Sequence, residues 1–344
     1  MNGSATTAPD VVATPPASRR LPAPSARALV GLAVIGLAFA WALPSFAPYA
    51  DVRDRLGNLG PWHALIIVAL AAANLIAPAT SQRAALPGLR LGDAVRADWA
   101  TSAVTNTVPG GTALAVGLTW SMYRSYRLQH GAIARSIVVT GVWDTFVKFG
   151  TPLLALAWLS TQQPVGPGLV QAALAGAALF AVVVVVGGVL LAGPGAATAI
   201  GGLLDRVPLL DVGWPDRLGA LRADTLTLLR ARWGPLTFWT VAGHANLYLL
   251  LLVCLRAVGV TATEASAAAV LAAFAFGRLV TALPVSPGGL GVMEVGLTGA
   301  LAAAASTEEA AVVAAVLLFR FLTFAVPIPL GALAWLLWQG RLRR

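Results

Sequence analysis

Apolar residues run through this chain in long, unbroken stretches separated by short polar segments that carry arginine. The runs cover 28–43, 62–77, 136–159, 169–192, 236–255, 265–283 and 310–338, with shorter apolar pieces at 112–122 and 292–305. None alternates with a period of two, so they predict helices rather than the strands of a barrel. Most are long enough to cross the ~30 Å hydrocarbon core of a bilayer. Two features interrupt the pattern. The segment 98–111 is polar for a lipid-facing stretch (Asp98, Thr101, Ser102, Thr105, Asn106, Thr107) and ends in Pro109-Gly110-Gly111; a second break, Pro284-Val285-Ser286-Pro287-Gly288-Gly289, divides 265–283 from 292–305.

Composition points the same way. The 344 residues are 58% hydrophobic and only 11% charged, with a mean hydropathy of +0.79. A soluble domain carries ~25% charged residues, and a water-soluble fold of this length could not hide so much apolar surface. In lipid every backbone polar group must be satisfied within the protein, which helices achieve. The expected fold class is therefore all-α: a polytopic integral membrane helix bundle of about eight spans over 27–340. Its two Pro-Gly-Gly-broken elements, re-entrant or kinked, are related by an internal repeat. Residues 1–26, rich in Ala, Pro, Ser and Thr, read as a disordered cytoplasmic tail. The run 28–43 reads as an uncleaved first span, because Ser45-Phe46-Ala47 makes a poor signal-peptidase site and further spans follow. The insert 193–234 contains a helix with Leu218, Leu221, Thr225, Leu228 and Leu229 on one face. It suits either a cytoplasmic membrane surface or packing on other loops.

Charge sets orientation. The net charge is +9, and of the 23 basic residues all but Lys148 are arginine, clustered between the apolar runs. They read as topology determinants and contacts to anionic headgroups, not as a nucleic-acid surface. The Ala/Gly/Arg-rich, nearly Lys-free usage suggests a GC-rich bacterial genome, and the expected location is the bacterial cytoplasmic membrane, with the N-terminus in the cytoplasm. The positive-inside rule then places Arg83, Arg90 and Arg96 on the same side as Arg124, Arg127 and Arg135, so that 99–122 dips in and returns. With Arg341, Arg343 and Arg344 also cytoplasmic, parity makes the second break a kinked crossing. A single cysteine, Cys254, excludes an intramolecular disulfide, and His63, His130 and His244 lie too far apart for metal-ligand spacing. No cofactor is implied. Gly288-Gly289-Leu290-Gly291 follows no strand, and the sole lysine lies in no Gly-Lys-Ser/Thr motif, so neither nucleotide loop is present.

The breaks carry the candidate chemistry. Proline removes a donor and glycine permits any backbone angle, so both open helices. Freed backbone groups at membrane depth survive only inside protein or beside water, and paired interruptions of this kind mark transporter binding sites. The candidate substrate-binding residues are Pro109, Gly110, Gly111, Pro287, Gly288 and Gly289, whose following helical turns aim amides at an anion, together with the charges beyond each break. Asp144 lies 35 residues after Pro109 and Arg320 lies 33 after Pro287. Asp144 and Lys148, at i and i+4, can pair on one face. The roughly 3 to 7 kcal/mol of insertion free energy from the apolar residues of 136–159 nearly balances the two charges. Arg320 has no local partner; Glu294 is the nearest carboxylate to the same break. Arg278 reads as snorkelling to the interface, and His244 and Asn246 as helix-packing polar residues.

The stretch Phe276-Gly277-Arg278-Leu279, with Leu283-Pro284-Val285-Ser286-Pro287-Gly288-Gly289-Leu290-Gly291-Val292-Met293-Glu294, resembles the lysylphosphatidylglycerol synthase transmembrane (flippase-like) family. Arg320-Phe321-Leu322-Thr323 with Pro327-Ile328-Pro329-Leu330-Gly331 looks like that family's last helix, and Asn106-Thr107-Val108-Pro109-Gly110-Gly111 like its first Pro-Gly motif. The resemblance covers about 60–338. Where many members carry an acidic residue and an arginine after the first motif, this chain has Thr112-Ala113-Leu114-Ala115-Val116. No soluble aminoacyl-transferase domain is expected after Arg344. The resemblance therefore implies lipid translocation or an accessory membrane role, not lipid aminoacylation. The expected partners are membrane lipids with an anionic headgroup or a polyprenyl phosphate. The alternatives are a secondary solute transporter, or a membrane scaffold or accessory subunit partnered with an envelope enzyme. An enzyme is not expected, for want of a nucleophile–base pair.

Overall fold

The computed structural model describes residues 54–55, 57–108, 110–162, 167–205, 213–280, 287–304 and 309–342. The tail 1–26 and the run 28–43 lie outside them. The described residues form twelve α-helices and no strand. Four stretches are long and apolar enough to cross a membrane: Pro61–Ala85, His130–Ser160, Asp216–Ala257 and Glu309–Leu342.

The first of these is two helices in sequence, α1 (Pro61–Asn74) and α2 (Ala77–Ala85). Each starts with proline in its first turn, where a missing N–H breaks no bond. The Trp99 indole donates to the Leu75 carbonyl (2.8 Å) at the junction between them. Then come α3 (Leu91–Thr107) and α4 (Gly111–Ser125), which flank the first break. They are joined by Gly110 at φ +69°, a left-handed angle that glycine adopts without strain. Gly111 lies so close to the backbone of Val104 and Thr105 that a Cβ there would collide. From that point α4 runs back along α3, and Leu118, Met122 and Tyr123 pack with Ala94, Ala97 and Ala100.

Helix α5 (His130–Ser160) leads to α6 (Pro167–Ala192), α7 (Pro194–Leu204) and the 44-residue α8 (Trp214–Ala257). The segment 215–233, expected as a separate amphipathic helix, is continuous with the membrane span that follows. Its apolar face meets protein: Thr225 and Leu228 are buried, and Leu228 packs with Ala84, Ala85, Val139 and Leu236.

Helix α9 (Ala267–Val280) ends before the second break; a short 3-10 turn (Pro287–Gly289) and α10 (Val292–Ala304) follow it. Gly277 sits against Leu297 and Met293, so α10 turns back along α9. The two pieces therefore lie side by side and not end to end. Three glycines with left-handed angles, Gly288 (φ +55°), Gly289 (φ +71°) and Gly291 (φ +80°), let the chain reverse there. Last come α11 (Glu309–Arg320), a π-helical turn (Phe321–Ala325) and α12 (Pro327–Leu342). Pro327 and Pro329 lack the N–H groups that the Thr323 and Ala325 carbonyls would accept, and the widened turn absorbs the mismatch.

Contacts fix which helix ends lie together. The Trp338 indole donates to Ser125 Oγ (2.8 Å) and Arg341 lies 3.8 Å from Asp93, so the end of α12, the end of α4 and the start of α3 share one end of the bundle. At the other end, Ala310 borders a cavity with Asp54, Arg55 and 257–259, beside the start of α9: Arg256 donates to the Ala265 carbonyl (2.7 Å). The α3/α4 hairpin thus enters from the arginine-rich end and the α9/α10 hairpin from the opposite one. Small residues allow this density. Gly331 of α12 meets the Trp99 carbonyl and Ala103 of α3 so closely that no side chain would fit, the close approach that membrane helices use in place of a hydrophobic drive. The exterior is apolar, with Trp62, Val68, Leu154 and Leu336 exposed, while Glu294 and Arg320 are buried.

Candidate functional site

The two Pro-Gly-Gly breaks meet. Asn106, at the end of α3, donates through Nδ2 to the Phe324 carbonyl in the π-helical turn (3.1 Å), 218 residues away in sequence. Gly288 of the second break lies between the same two residues: a Cβ on it would stand 2.5 Å from the Phe324 ring and 2.7 Å from Asn106 Oδ1. Only glycine fits, for lack of space and because its φ is positive. Of the first motif, Pro109 lies outside the described residues, and Gly110 and Gly111 shape the hairpin tip. The side chain of Pro287 also lies outside the described residues; its backbone opens the 3-10 turn.

Arg320, at the end of α11, reaches into this meeting point. Its Nε donates to Glu294 Oε1 in α10, as the proximity of Glu294 to the break predicts. Its Nη2 donates to the Gly288 carbonyl (3.1 Å), and its guanidinium lies over the Phe324 ring, 4.7 Å from the centroid. Both charges are buried, Glu294 5% and Arg320 9% exposed. The other Glu294 oxygen, Oε2, is buried without a hydrogen-bond partner among the described residues. The pair is therefore only half satisfied, an arrangement that buried polar groups rarely keep without a reason.

A second cluster lies alongside. Asp144 and Lys148 pair across one turn of α5 (2.6 Å), and the other Asp144 oxygen accepts or shares a hydrogen bond with His244 Nε2 of α8 (2.9 Å). His244 thus does more than pack between helices: it closes a three-residue network. Pro152, four residues on, removes the donor that the Lys148 carbonyl would otherwise receive, opening the helix backbone at the charges. Arg278 of α9 lies within electrostatic reach of Asp144 and Lys148 on one side and of Arg320 on the other. Its Nε is buried, and it lies within electrostatic range of both clusters. Asn246 does pack between helices, donating to the Leu70 carbonyl (3.0 Å).

The arrangement puts three cations and two carboxylates, with backbone opened by glycine and proline, where two hairpins and two long helices converge. The residues that carry it also lie within the region of the chain that can be assigned by likeness. The sequence matches the family model described as the lysylphosphatidylglycerol synthase TM region over residues 28–331. The chain belongs to this family. No curated protein matches it. The lysylphosphatidylglycerol synthase TM region here takes in both breaks, both charge clusters and the close contact at Gly331, and with the four long apolar helices it makes the chain a multi-pass membrane protein of a lipid-handling family. Sequence reasoning passed over Asn106, Arg278 and His244 as ligands of the site. The available signal was the cost of polar side chains within apolar runs; the partners of Asn106 and His244, 218 and 100 residues away, left no local trace.

Proposed function

We propose that this protein carries a lipid or lipid-linked anionic headgroup across the bacterial cytoplasmic membrane, without covalent chemistry. The observation that carries the reading is the half-satisfied Glu294–Arg320 pair at the point where both breaks meet. A headgroup phosphate crossing the bilayer needs fixed donors and a charge that can be exchanged at mid-depth, because an uncompensated charge there costs several kcal/mol. Arg320 can leave Glu294 for the phosphate and return.

In this reading both hairpins are re-entrant elements of an inverted repeat, the first dipping from the cytoplasmic side and the second from the other. The N-terminus is cytoplasmic, in keeping with the arginine-rich end. Anionic phospholipids and polyprenyl phosphates are the substrates to try. A solute carrier would use the same breaks but close them off from lipid, and a scaffold for an envelope enzyme would need no exchangeable charge.

The test is reconstitution. Purified protein in vesicles should equilibrate a fluorescent anionic lipid or a polyprenyl phosphate between leaflets, and Arg320→Ala, Glu294→Ala and Gly288→Leu should insert but abolish that movement. The reading is lost if the wild-type protein moves neither lipid while Arg320→Ala reproduces the deletion phenotype in cells. Co-purification of an envelope enzyme would then favour the scaffold.

A further inference from the structure

The charge clusters include a histidine whose acid–base chemistry headgroup binding alone leaves unused. His244 sits within the apolar part of α8, and its Nε2 lies 2.9 Å from Asp144 Oδ1. The other Asp144 oxygen is 2.6 Å from Lys148 Nζ. A carboxylate engaged by an ammonium offers its second oxygen as an acceptor, so the neutral imidazole carries its hydrogen on Nε2. That leaves the lone pair of Nδ1 open, and no hydrogen bond reaches it among the described residues. His244 is therefore held in one tautomer, with a defined atom for a proton and a carboxylate in place to steady the imidazolium. The Trp143 indole donates to Thr237 Oγ1 (2.9 Å) and ties α5 to α8 beside the pair.

The groups around His244 make that proton sensitive to an anion. Asp144 and Lys148 face it from α5 and Arg278 from α9, and Arg278 lies within electrostatic reach of Arg320 of α11. Of the other helices packed on α8, α6 and α7 contain no titratable residue, and His63 of α1, Arg83 of α2 and Glu309 of α11 stand near the ends of theirs. Tyr248, one turn along α8, is committed to the Ala267 carbonyl (2.9 Å). Lys148 and Arg278 thus oppose a proton on His244. A phosphate among them cancels part of that opposition and gives the imidazolium a counter-ion. By reciprocity, the proton tightens binding of the anion by the same factor. The Asp144 side chain is 42% exposed and that of His244 11%. Exposed charge at membrane depth persists beside water, which also brings the proton.

Resting on the carrier reading, we infer that His244 takes up one proton at Nδ1 with each anionic headgroup that enters the site and releases it when the headgroup leaves, so that proton and lipid move together. The proton comes from water on the acidic side and returns to water on the alkaline side, while the hydrogen on Nε2 stays with Asp144 throughout. A proton and a phosphodiester together carry no net charge. The cotransport is therefore electroneutral, and a pH difference drives it while the membrane potential does not. Histidine is the side chain whose charge ordinarily changes between about pH 5 and 8, the range in which such a difference exists.

Vesicles holding the full-length protein and a trace of phosphatidylglycerol labelled on its acyl chain, under an imposed difference of about one pH unit, test the coupling. The label should accumulate in the leaflet facing the alkaline side, up to about tenfold for one proton per lipid. Collapsing the pH difference should abolish the accumulation; collapsing the membrane potential should not. His244→Gln keeps a donor toward Asp144 but has no titratable nitrogen, and it should abolish the accumulation, whereas His63→Gln and His130→Gln should leave it unchanged. In wild-type protein labelled with 15N-histidine, the signal that both of those control variants retain belongs to His244. It should show hydrogen on Nε2 and a bare Nδ1 at about pH 8, and a proton arriving on Nδ1 as the pH falls. Label that equilibrates between leaflets without following the pH difference overturns the coupling and leaves the carrier reading standing; label that does not move at all overturns both. Accumulation that survives His244→Gln, or hydrogen on Nδ1 in place of Nε2 at the higher pH, overturns His244 as the proton site.

Discussion

Replacing both members of the Glu294–Arg320 pair with apolar residues separates what the pair does for folding from what it does for transport. Removing one partner from a buried ion pair leaves the other charge uncompensated, at about 3 to 5 kcal/mol. Glu294→Leu leaves Arg320 with the Gly288 carbonyl and the Phe324 ring, which soften the loss without replacing a carboxylate. Arg320→Leu leaves Glu294 with neither oxygen bonded, since Oε2 has no donor among the described residues to begin with. The double replacement removes both charges; exchanges of this kind are neutral or stabilising by about 1 to 4 kcal/mol. It also strips the Gly288 carbonyl of its donor, at a cost of about 1 to 3 kcal/mol. The two terms nearly cancel, so the double variant should fold about as well as the wild-type protein while each single variant is clearly weaker. The implied coupling exceeds the ~0.5 to 3 kcal/mol seen between ordinary neighbours.

Equilibrium unfolding in mixed detergent micelles, followed by the fluorescence of the 11 tryptophans, gives the stabilities. Leaflet exchange of a labelled anionic lipid in vesicles gives the function. The carrier reading requires the double variant to be folded and inactive. A folded double variant that still exchanges lipid would refute it, because the pair would then be dispensable for movement. Single variants as stable as the wild-type protein would refute the premise that the pair is buried and mutually compensating.

Exchanging Asp144 and Lys148 keeps their ion pair but moves the carboxylate one helical turn, ~5.4 Å, away from His244. The exchange should therefore lose about 1 to 3 kcal/mol of stability through the abandoned His244 contact, and His244→Leu should cost nothing more in that background; a wild-type unfolding midpoint for the exchange would show the His244 contact to be idle. Topology is open to cysteine labelling at exposed positions. In a Cys254→Ser background, Pro87→Cys and Gln129→Cys should react with impermeant maleimide from one side of the membrane and Thr161→Cys and Thr263→Cys from the other. Labelling of Pro87→Cys and Gln129→Cys from opposite sides would make the first hairpin a crossing.

What the sequence disclosed, and what it withheld, follows from the range of each interaction. Continuous apolar runs disclose spans because lipid acts on every residue of a helix alike. The Asp144–Lys148 pair was legible because one turn of helix brings its members together, and Glu294 was legible as the partner of Arg320 because both adjoin one break. The Asp144–His244 and Asn106–Phe324 contacts were not, since 100 and 218 residues separate them. The apolar face of 215–233 fitted either lipid or protein, and packing with α2 and α5 decided it. The packing at the second break was illegible for a different reason. Two short apolar pieces either side of a glycine cluster make one kinked crossing or one hairpin with equal ease, and the choice turns on the small surface at Gly277. With α10 running back along α9, each hairpin returns to the end of the bundle it came from. The depth of the site then follows from helix lengths. Asn106 lies 13 residues beyond Asp93 and Arg320 lies 11 beyond Glu309, roughly 20 and 17 Å at 1.5 Å per residue. Measured from opposite ends of the bundle, the two hairpin tips and the charge between them therefore converge near its middle, the depth at which, in the proposed carrier, a headgroup most needs a compensating charge.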